Sequence, residues 1–385
     1  MKKRRLILLA VALGIGAILL VQWRARREPV YQGKTVSAWA RDLNDADPHV
    51  RNNAAMALRE MGPRAVPSLV RSLSRRDSIF KQTYRSLAPK LPNWFRRLVV
   101  RRPRQFDALN GRLMAVNALC VLGTNAPVQP LVNALHDPER FIAVPASTAL
   151  GNIGRPAVPE LIRALNDPSR QVRFLACDAL SMIGPDASNA APTLIEKLAD
   201  QDSIVLASAA YALGRIGRPG FEALMASRQN PDEQIRAQAA QTLGNFKLPA
   251  SEAASALVEF TKDAAPTVRQ NAVEALGNLG PDSSESVAAL VAALKDESIQ
   301  VRLKGAQALA LAGRHRELQI PALIEALKDQ DPRIRSATAE TLGQIGVLAK
   351  SAAPALRQSL RDENEIVRAK ATEALEKIQR DGKVD

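Results

Sequence analysis

Between residues 269 and 279 the apolar side chains Ala272, Ala275, Leu276 and Leu279 recur at intervals of three and four, with polar residues between them. That spacing puts them on one face of a helix. The same arrangement returns along the chain in a fixed frame. An aliphatic residue followed by Arg occurs at Val50-Arg51, Val172-Arg173, Ile235-Arg236, Val268-Arg269, Val301-Arg302, Ile334-Arg335 and Val367-Arg368, and the last five arginines are each 33 residues apart. A Gly stands eleven residues after the Arg at Gly62, Gly184, Gly280, Gly313 and Gly346. Arg112 with Gly123 fits the same frame, and Ala143 with Gly154 and Leu206 with Gly217 fit two units that have lost the Arg. Ten units result, eight with the Arg and eight with the Gly; Lys247 and Gln379 fill the Gly slot in the other two.

Each recurring position has a mechanical reason. Asp or Asn stands six residues before the Arg slot in nine units, at 45, 137, 167, 200, 230, 263, 296, 329 and 362. Asp47, Ser169, Asp202, Asp331 and Asn364 stand four residues before it. These are turn formers and N-cap acceptors for the free N–H groups of a helix start. The Gly predicts a left-handed residue that ends the first helix. A second helix follows, with Pro67, Pro159, Pro192, Pro321 and Pro354 in its first turn, where a missing N–H costs nothing. Leu161, Ile162 and Leu165 give that helix its apolar face. One helix pair cannot bury both faces, whereas a stack of ten can.

Composition agrees with thin stacked layers. Aromatics are only 4% of the 385 residues, and small side chains let helix axes approach closely. The net charge of +14 is uneven. Residues 71–104 hold eleven Lys or Arg and one acid, Asp77, and the chain up to Glu28 adds a further +6, so the repeats are close to neutral. The basic stretch also holds Phe80, Tyr84, Trp94 and Phe95, and falls where Arg51 and Arg112 are 61 residues apart. It reads as an insertion or a degenerate repeat at about 72–106. Three roles compete for it: an interfacial helix on anionic lipid, a phosphate-binding surface with stacking aromatics, and an exposed loop. The lipid reading takes Arg71, Arg75, Arg76, Lys81, Arg85, Trp94, Phe95, Arg96, Arg97, Arg101 and Arg102 as contacts. Nucleic acid is the weaker partner.

At the other end, Leu6 to Val21 carry no charge, between Lys2-Lys3-Arg4-Arg5 and Arg24. Such a run rises about 24–27 Å as a helix, just under the roughly 30 Å hydrocarbon core. No A-x-A site precedes Gln22-Trp23. The expectation is a single-pass N-terminal signal-anchor over residues 1–23, touching the membrane through 6–23. A linker and cap follow over 24–44, and the repeats over 45–385 lie outside the cytoplasm, on the periplasmic side. The alternative is export after signal cleavage.

Asp331-Pro332-Arg333-Ile334-Arg335, continued by Ala339, Leu342, Gly343, Ile345 and Gly346, resembles HEAT repeats of the phycobilisome-lyase type. The resemblance runs over roughly residues 40–380. Tyr31-Gln32-Gly33-Lys34 with Ser37, Trp39 and Leu43 is similar to the start of membrane-anchored bacterial HEAT-repeat proteins, and Trp39 is read as covering the edge of the first layer. The resemblance implies an all-α fold: a right-handed α-solenoid, an armadillo/HEAT-like superhelix of about ten helix-pair repeats, preceded by one hydrophobic helix. It also implies a structural ladder in which Arg51, Arg112, Arg173, Arg236, Arg269, Arg302, Arg335 and Arg368 bond acids of neighbouring units. An anion-binding stripe is the weaker reading, because acids flank each Arg on the links.

Chemistry is sparse. His49, His136 and His315 precede Val50, Asp137 and Arg316, so the His-Glu pairs of the di-iron deoxyhypusine hydroxylases are missing. Cys120 and Cys177 stand far apart. There is no phosphate loop, nucleophile elbow or HExxH. No catalytic residue, cofactor or metal is assigned. The leading expectation is a membrane-tethered, non-catalytic scaffold that binds a protein or extended peptide on the concave face, lined by the second helices with Glu160, Arg163, Glu196, Lys197, Glu325 and Lys328. The rival is a lyase-type enzyme or assembly factor. A deep apolar pocket with convergent polar groups would favour the rival. Oligomeric state is not legible in the pattern.

Overall fold

The structure is a computed structural model of the 385-residue chain and describes residues 28–75, 108–246, 250–280 and 282–380. The chain divides into two compact units, Met1–Asp186 and Ala187–Asp385.

The first unit opens on a two-stranded hairpin, β1 (Val30–Tyr31) and β2 (Lys34–Thr35), with Val30 opposite Thr35. Gln32 and Gly33, at φ 48° and 75°, form its turn; two consecutive left-handed residues suit the strand twist. Helix α1 (Val36–Asp42) follows. Its Trp39 is buried under the hairpin, donates from Nε1 to Tyr31 O at 3.0 Å, and has Lys34 Nζ 4.5 Å from the ring centroid. The helix pairs are then α2 (Pro48–Met61) with α3 (Val66–Leu73), α4 (Ala108–Leu122) with α5 (Val128–Ala134), α6 (Arg140–Ile153) with α7 (Val158–Ala164), and α8 (Arg170–Ile183). In the second unit, α9 (Ala191–Glu196) precedes α10 (Ser203–Ile216) with α11 (Arg218–Ala226), α12 (Glu233–Gly244) with α13 (Ala250–Phe260), and α14 (Pro266–Asn278) with α15 (Ser284–Ala293). It ends with α16 (Ile299–Leu311) and α17 (Arg316–Ala326), α18 (Pro332–Ile345) and α19 (Ala353–Ser359), and α20 (Glu365–Arg380).

Within each unit the helices form two layers. In the second unit α12, α14, α16, α18 and α20 pack in sequence as one layer, and α13, α15 and α17 pack in sequence as the other. A Leu seven residues after the Arg slot serves every pair: Leu58, Leu119, Leu150, Leu180, Leu213, Leu243, Leu276, Leu309, Leu342 and Leu375 are all buried. Each such side chain contributes about 1.5–3 kcal/mol over its exposed state. One residue further along, Gly244, Gly277 and Gly343 let neighbouring first helices touch. A Cβ placed on Gly277 would sit 2.6 Å from Ala308 Cβ, and one on Gly343 would sit 2.9 Å from Ala374 Cα. Gly214 holds the same slot on α10, and a Cβ there would meet nothing within 4 Å.

The punctuation follows the expected chemistry with four corrections. Glycines at 62, 123, 154, 184, 217, 280 and 346 are left-handed, with φ between 50° and 78°. Gly313 is not; the left-handed residue of that unit is His315, at φ 58°. Consequently α17 begins at Arg316, and Pro321 lies inside that helix instead of its first turn. Side-chain caps form at Asp47, Asp202, Asp331 and Asn364, and also at Asp232. Ser169 occupies the N-cap of α8 without a side-chain cap bond. The last correction concerns location. Among the described residues no helix is long and apolar enough to cross a membrane, which overturns the expected single-pass anchored arrangement. The longest described helix, α20, has 16 residues and carries Arg368, Lys370, Glu373 and Lys377 along its length. The hydrophobic run at 6–23 lies outside the described residues, as do 76–107.

Adding one methyl group separates the tight helix contacts from the open one. Gly277→Ala is expected to destabilise by about 1–3 kcal/mol through overpacking. Gly214→Ala is expected to be neutral or stabilising by up to about 1 kcal/mol, since Ala favours a helix. Thermal melts followed by circular dichroism read both; equal losses would contradict the packing described.

Candidate functional site

The site is best understood from the contact that is missing there. In a complete rung, the Arg guanidinium joins two links. Arg269 Nη1 donates to Asp263 O and Ala264 O, at 3.0 and 2.9 Å, on the link before its own helix. Its Nε and Nη2 grip both oxygens of Asp296 on the next link, at 2.7 and 2.8 Å. Asp296 Oδ1 also accepts Ser298 N at 2.8 Å, which folds that link into a turn. Arg236 with Asp263, Arg302 with Asp329 and Arg335 with Asp362 repeat this fork. Arg112 reaches Asp137 at 3.0 Å. Arg51, Arg173 and Arg368 bind the carbonyls of their own links.

Planar, two-point pairing of this kind is the strong form of a charge-assisted hydrogen bond. Burial pushes the Asp263 and Asp296 carboxyls up, but the facing guanidiniums and the link N–H groups outweigh it and hold both below the usual value. Arg335 pulls Asp362 down against a smaller opposing effect of burial. The Arg partners are raised, chiefly by the same bonds. On the link surface Arg333 holds Asp331 down to about 2.

Two units lack the Arg, with different results. At Ala143 other side chains bridge the neighbouring helices. Ser147 Oγ donates to Leu175 O and lies 3.1 Å from Asp178 Oδ2; His136 Nε2 lies 2.9 Å from Asp167; and Gln171 Nε2 reaches Leu135 O and Asp137 O. At Leu206 side chains join the second helices instead, Arg218 on α11 with Glu252 on α13 and Arg228 just after α11 with Glu259 on α13. Asn230 accepts Asp232 N on its own link, Ser208 bonds Ile204 O in its own helix, and Thr242 bonds Gln238 O in its own helix. The face of α10 toward α12 is left apart from it, as Gly214 records.

A groove of about 610 Å³ opens there, within the range of ligand sites. Leu206, Ala207, Ala210, Gly214 and Phe246 give it apolar walls. Tyr211, Arg215, Gln238, Gln241, Thr242 and Asn245 bring polar groups to it. Tyr211 is 63% exposed, so the groove is an open trough and not an enclosed pocket. Among the described residues, the Tyr211 hydroxyl, the Arg215 guanidinium and the carboxamides of Gln238 and Gln241 have no protein partner. Arg215 is the one charged residue in the lining.

The positions expected to line a binding face behave differently. On the second helices Arg163 pairs with Glu160 and Lys328 pairs with Glu325, each within one turn of helix. A smaller hollow of about 340 Å³ lies between α13 and α15, walled largely by Ala288, Ala289, Ala292 and Ala293. Of the basic stretch, Arg71 is exposed on α3 and Arg75 offers its carbonyl to Arg112 Nη1 at 3.3 Å. Arg76, Lys81, Arg85, Trp94, Phe95, Arg96, Arg97, Arg101 and Arg102 lie outside the described residues. The histidines sit at a helix start, a link and a turn, and among the described residues no cluster of His, Cys, Asp or Glu could hold a metal. Cys120 is half-buried, and burial raises its thiol. The groove escaped the sequence reading: the sequence shows Leu206 in an Arg slot and a helix from Ser203 with no charge before Arg215, but Ala143 is an empty slot too and opens no such groove among the described residues.

A family model described as HEAT repeats matches residues 128–214, 219–310 and 287–376. Among solved structures the chain is similar to an engineered protein, at 21% identity over 89% of this chain and 98% of that one, with a TM-score of 0.38. It is similar to human deoxyhypusine hydroxylase at 24% identity, over 66% of this chain and 96% of that one, with a TM-score of 0.30. It is also similar to importin beta at 15% identity, over 89% and 55%, with a TM-score of 0.42. No curated protein matches the chain.

Removing the acid of a fork strips its Arg of the two-point pair; without Asp296, Arg269 keeps only the exposed Glu297, at 3.1 Å, as an acidic partner. Asp296→Ala is expected to destabilise by about 2–4 kcal/mol, below the ~3–5 kcal/mol of a fully buried pair because the fork is partly wet; urea melts read this, and a loss under about 0.5 kcal/mol would contradict it. The depressed carboxyls add a pH test. A carboxyl whose folded value lies below its unfolded value stabilises above the unfolded value, and that contribution is lost as pH falls through the folded one. The melting temperature should therefore fall from about pH 4 toward pH 2, less steeply in Asp296→Asn; equal slopes would contradict the assignment.

Proposed function

The chain belongs to the HEAT-repeat family, and on that premise we propose that it is a non-catalytic scaffold whose recognition surface is the groove between α10 and α12. One observation carries the reading. Along the ladder, polar groups satisfy one another across the links, whereas the groove gathers a phenol, a guanidinium and two carboxamides without protein partners beside apolar walls. Tyr211, Arg215 and Gln241 are exposed and Gln238 is half-buried, so each can bond a partner by shedding water, without breaking an internal bond.

HEAT-repeat stacks generally serve protein interaction, and the groove has the character of such a surface. It is open, contains an exposed Tyr, and is bordered by amides that adapt to either donor or acceptor. Catalysis would call for a nucleophile or a general base near the Arg, and the lining supplies no carboxylate, His or Cys.

The experiment is a paired capture from cell extract with the wild-type chain and Tyr211→Ala as baits. Tyr211 is exposed, so its truncation is expected to leave the melting temperature within about 2 °C. Proteins retained by the wild type and lost from the variant are expected. Identical retention by the two baits would remove the groove from the function.

A further inference from the structure

We propose that the groove takes an extended, acidic peptide segment, with its main chain laid along α12 and a carboxylate on Arg215; this rests on the reading of the groove as the recognition surface. Four observations converge. Gln238 and Gln241 lie on α12 and Asn245 is its C-cap, all three lining the groove, and seven residues at helical rise span about 10.5 Å. Three residues of extended chain cover about 10 Å, so the amides match the pitch of a short strand. A carboxamide offers both a donor and an acceptor, which is what a peptide group requires of a partner.

The second observation is the free state of two of those amides, Gln238 and Gln241. Asn245 Nδ2 reaches Gln241 O at 3.3 Å, and Thr242 Oγ1 is spent on Gln238 O at 2.7 Å. The Gln238 and Gln241 side chains are held by neither bond. The third is charge: Arg215 stands in a lining without an acid, so the complementary ligand group is an anion. Arg218 lies three residues on but is taken, by Glu222 at 3.0 Å and by Glu252 at 2.5 Å. The fourth is the opposite wall. Leu206, Ala207, Ala210 and Tyr211 present small and flat apolar surface, which suits one aliphatic or aromatic ligand side chain beside the acid.

A folded partner would need to insert an edge or a loop into the trough, whereas an extended segment fits it without rearrangement. The volume sets the scale: about 610 Å³ suits a short segment and not a whole domain. Such short contacts give micromolar affinities at best, so the segment belongs to a partner that gains further contact elsewhere or is present in several copies.

The test uses the full chain and a displayed library of random twelve-residue peptides. Enrichment of peptides holding Asp or Glu next to an aliphatic or aromatic residue is expected. For a selected peptide, Arg215→Ala should weaken binding about tenfold, and changing the peptide acid to its amide should do the same. The two changes together should add little, because they remove one contact. Gln241→Ala should weaken binding, and N-methylation of one central peptide bond should weaken it in the wild type but not further in Gln241→Ala. Selected peptides without acids, or indifference to Arg215→Ala, would overturn the acidic-segment inference while leaving the scaffold reading in place. Selected acidic peptides that bind Tyr211→Ala and Gln241→Ala as well as wild type would overturn the groove itself as the recognition surface. An absence of any enriched peptide, while Tyr211→Ala still alters protein capture, would assign the groove to a folded partner and overturn the inference.

Discussion

The fork between one Arg and the Asp 27 residues later is the constraint from which the rest of the second unit is built. It acts on three parts at once. The guanidinium ties down two carbonyls of its own link, holds the acid of the next, and thereby sets the distance between successive first helices. The acid in turn shapes its link through a backbone N–H. Each rung therefore supports the turn that the following rung needs. Hydrophobic burial supplies the larger energy, through the Leu of each repeat and the Ala and Gly contacts beside it, but it is non-directional. The rung supplies the register.

A ladder of this kind can lose a rung and remain folded if something else spans the gap. Around Ala143 the span is made by Ser147, Gln171 and His136, each with a partner on a neighbouring helix or link. Around Leu206 the second helices are joined, by Arg218 with Glu252 and Arg228 with Glu259, while Ser208, Thr242 and Asn230 bond within their own helix or link and the first helices part. The same absence thus gives packing in one place and a groove in the other.

Most of the repeat was legible because each slot admits few residue types. Only Arg makes the planar fork, only Gly takes the left-handed turn at no steric cost, and Asp, Asn or Ser cap a helix start. The exceptions are instructive. Gly313 looks like its counterparts, yet the chain turns at His315, and Pro321 is then enclosed by a longer helix. The groove was not legible, because an empty Arg slot has no fixed consequence until the neighbours are placed. Of the charged residues expected on a binding face because they fall on the second helices, Glu160 with Arg163 and Glu325 with Lys328 form solvated pairs along one helix.

Native-state hydrogen exchange, read helix by helix, tests the ladder most directly. In a linear array, protection reflects the local repeat and its nearest interfaces. Helices α14, α16 and α18 carry forks on both sides and should exchange most slowly, while α10, with Leu206 in place of its Arg, should open at a free energy lower by about 2 kcal/mol or more. Equal protection of α10 and α16 would show that the rungs do not hold the stack, and would contradict the account.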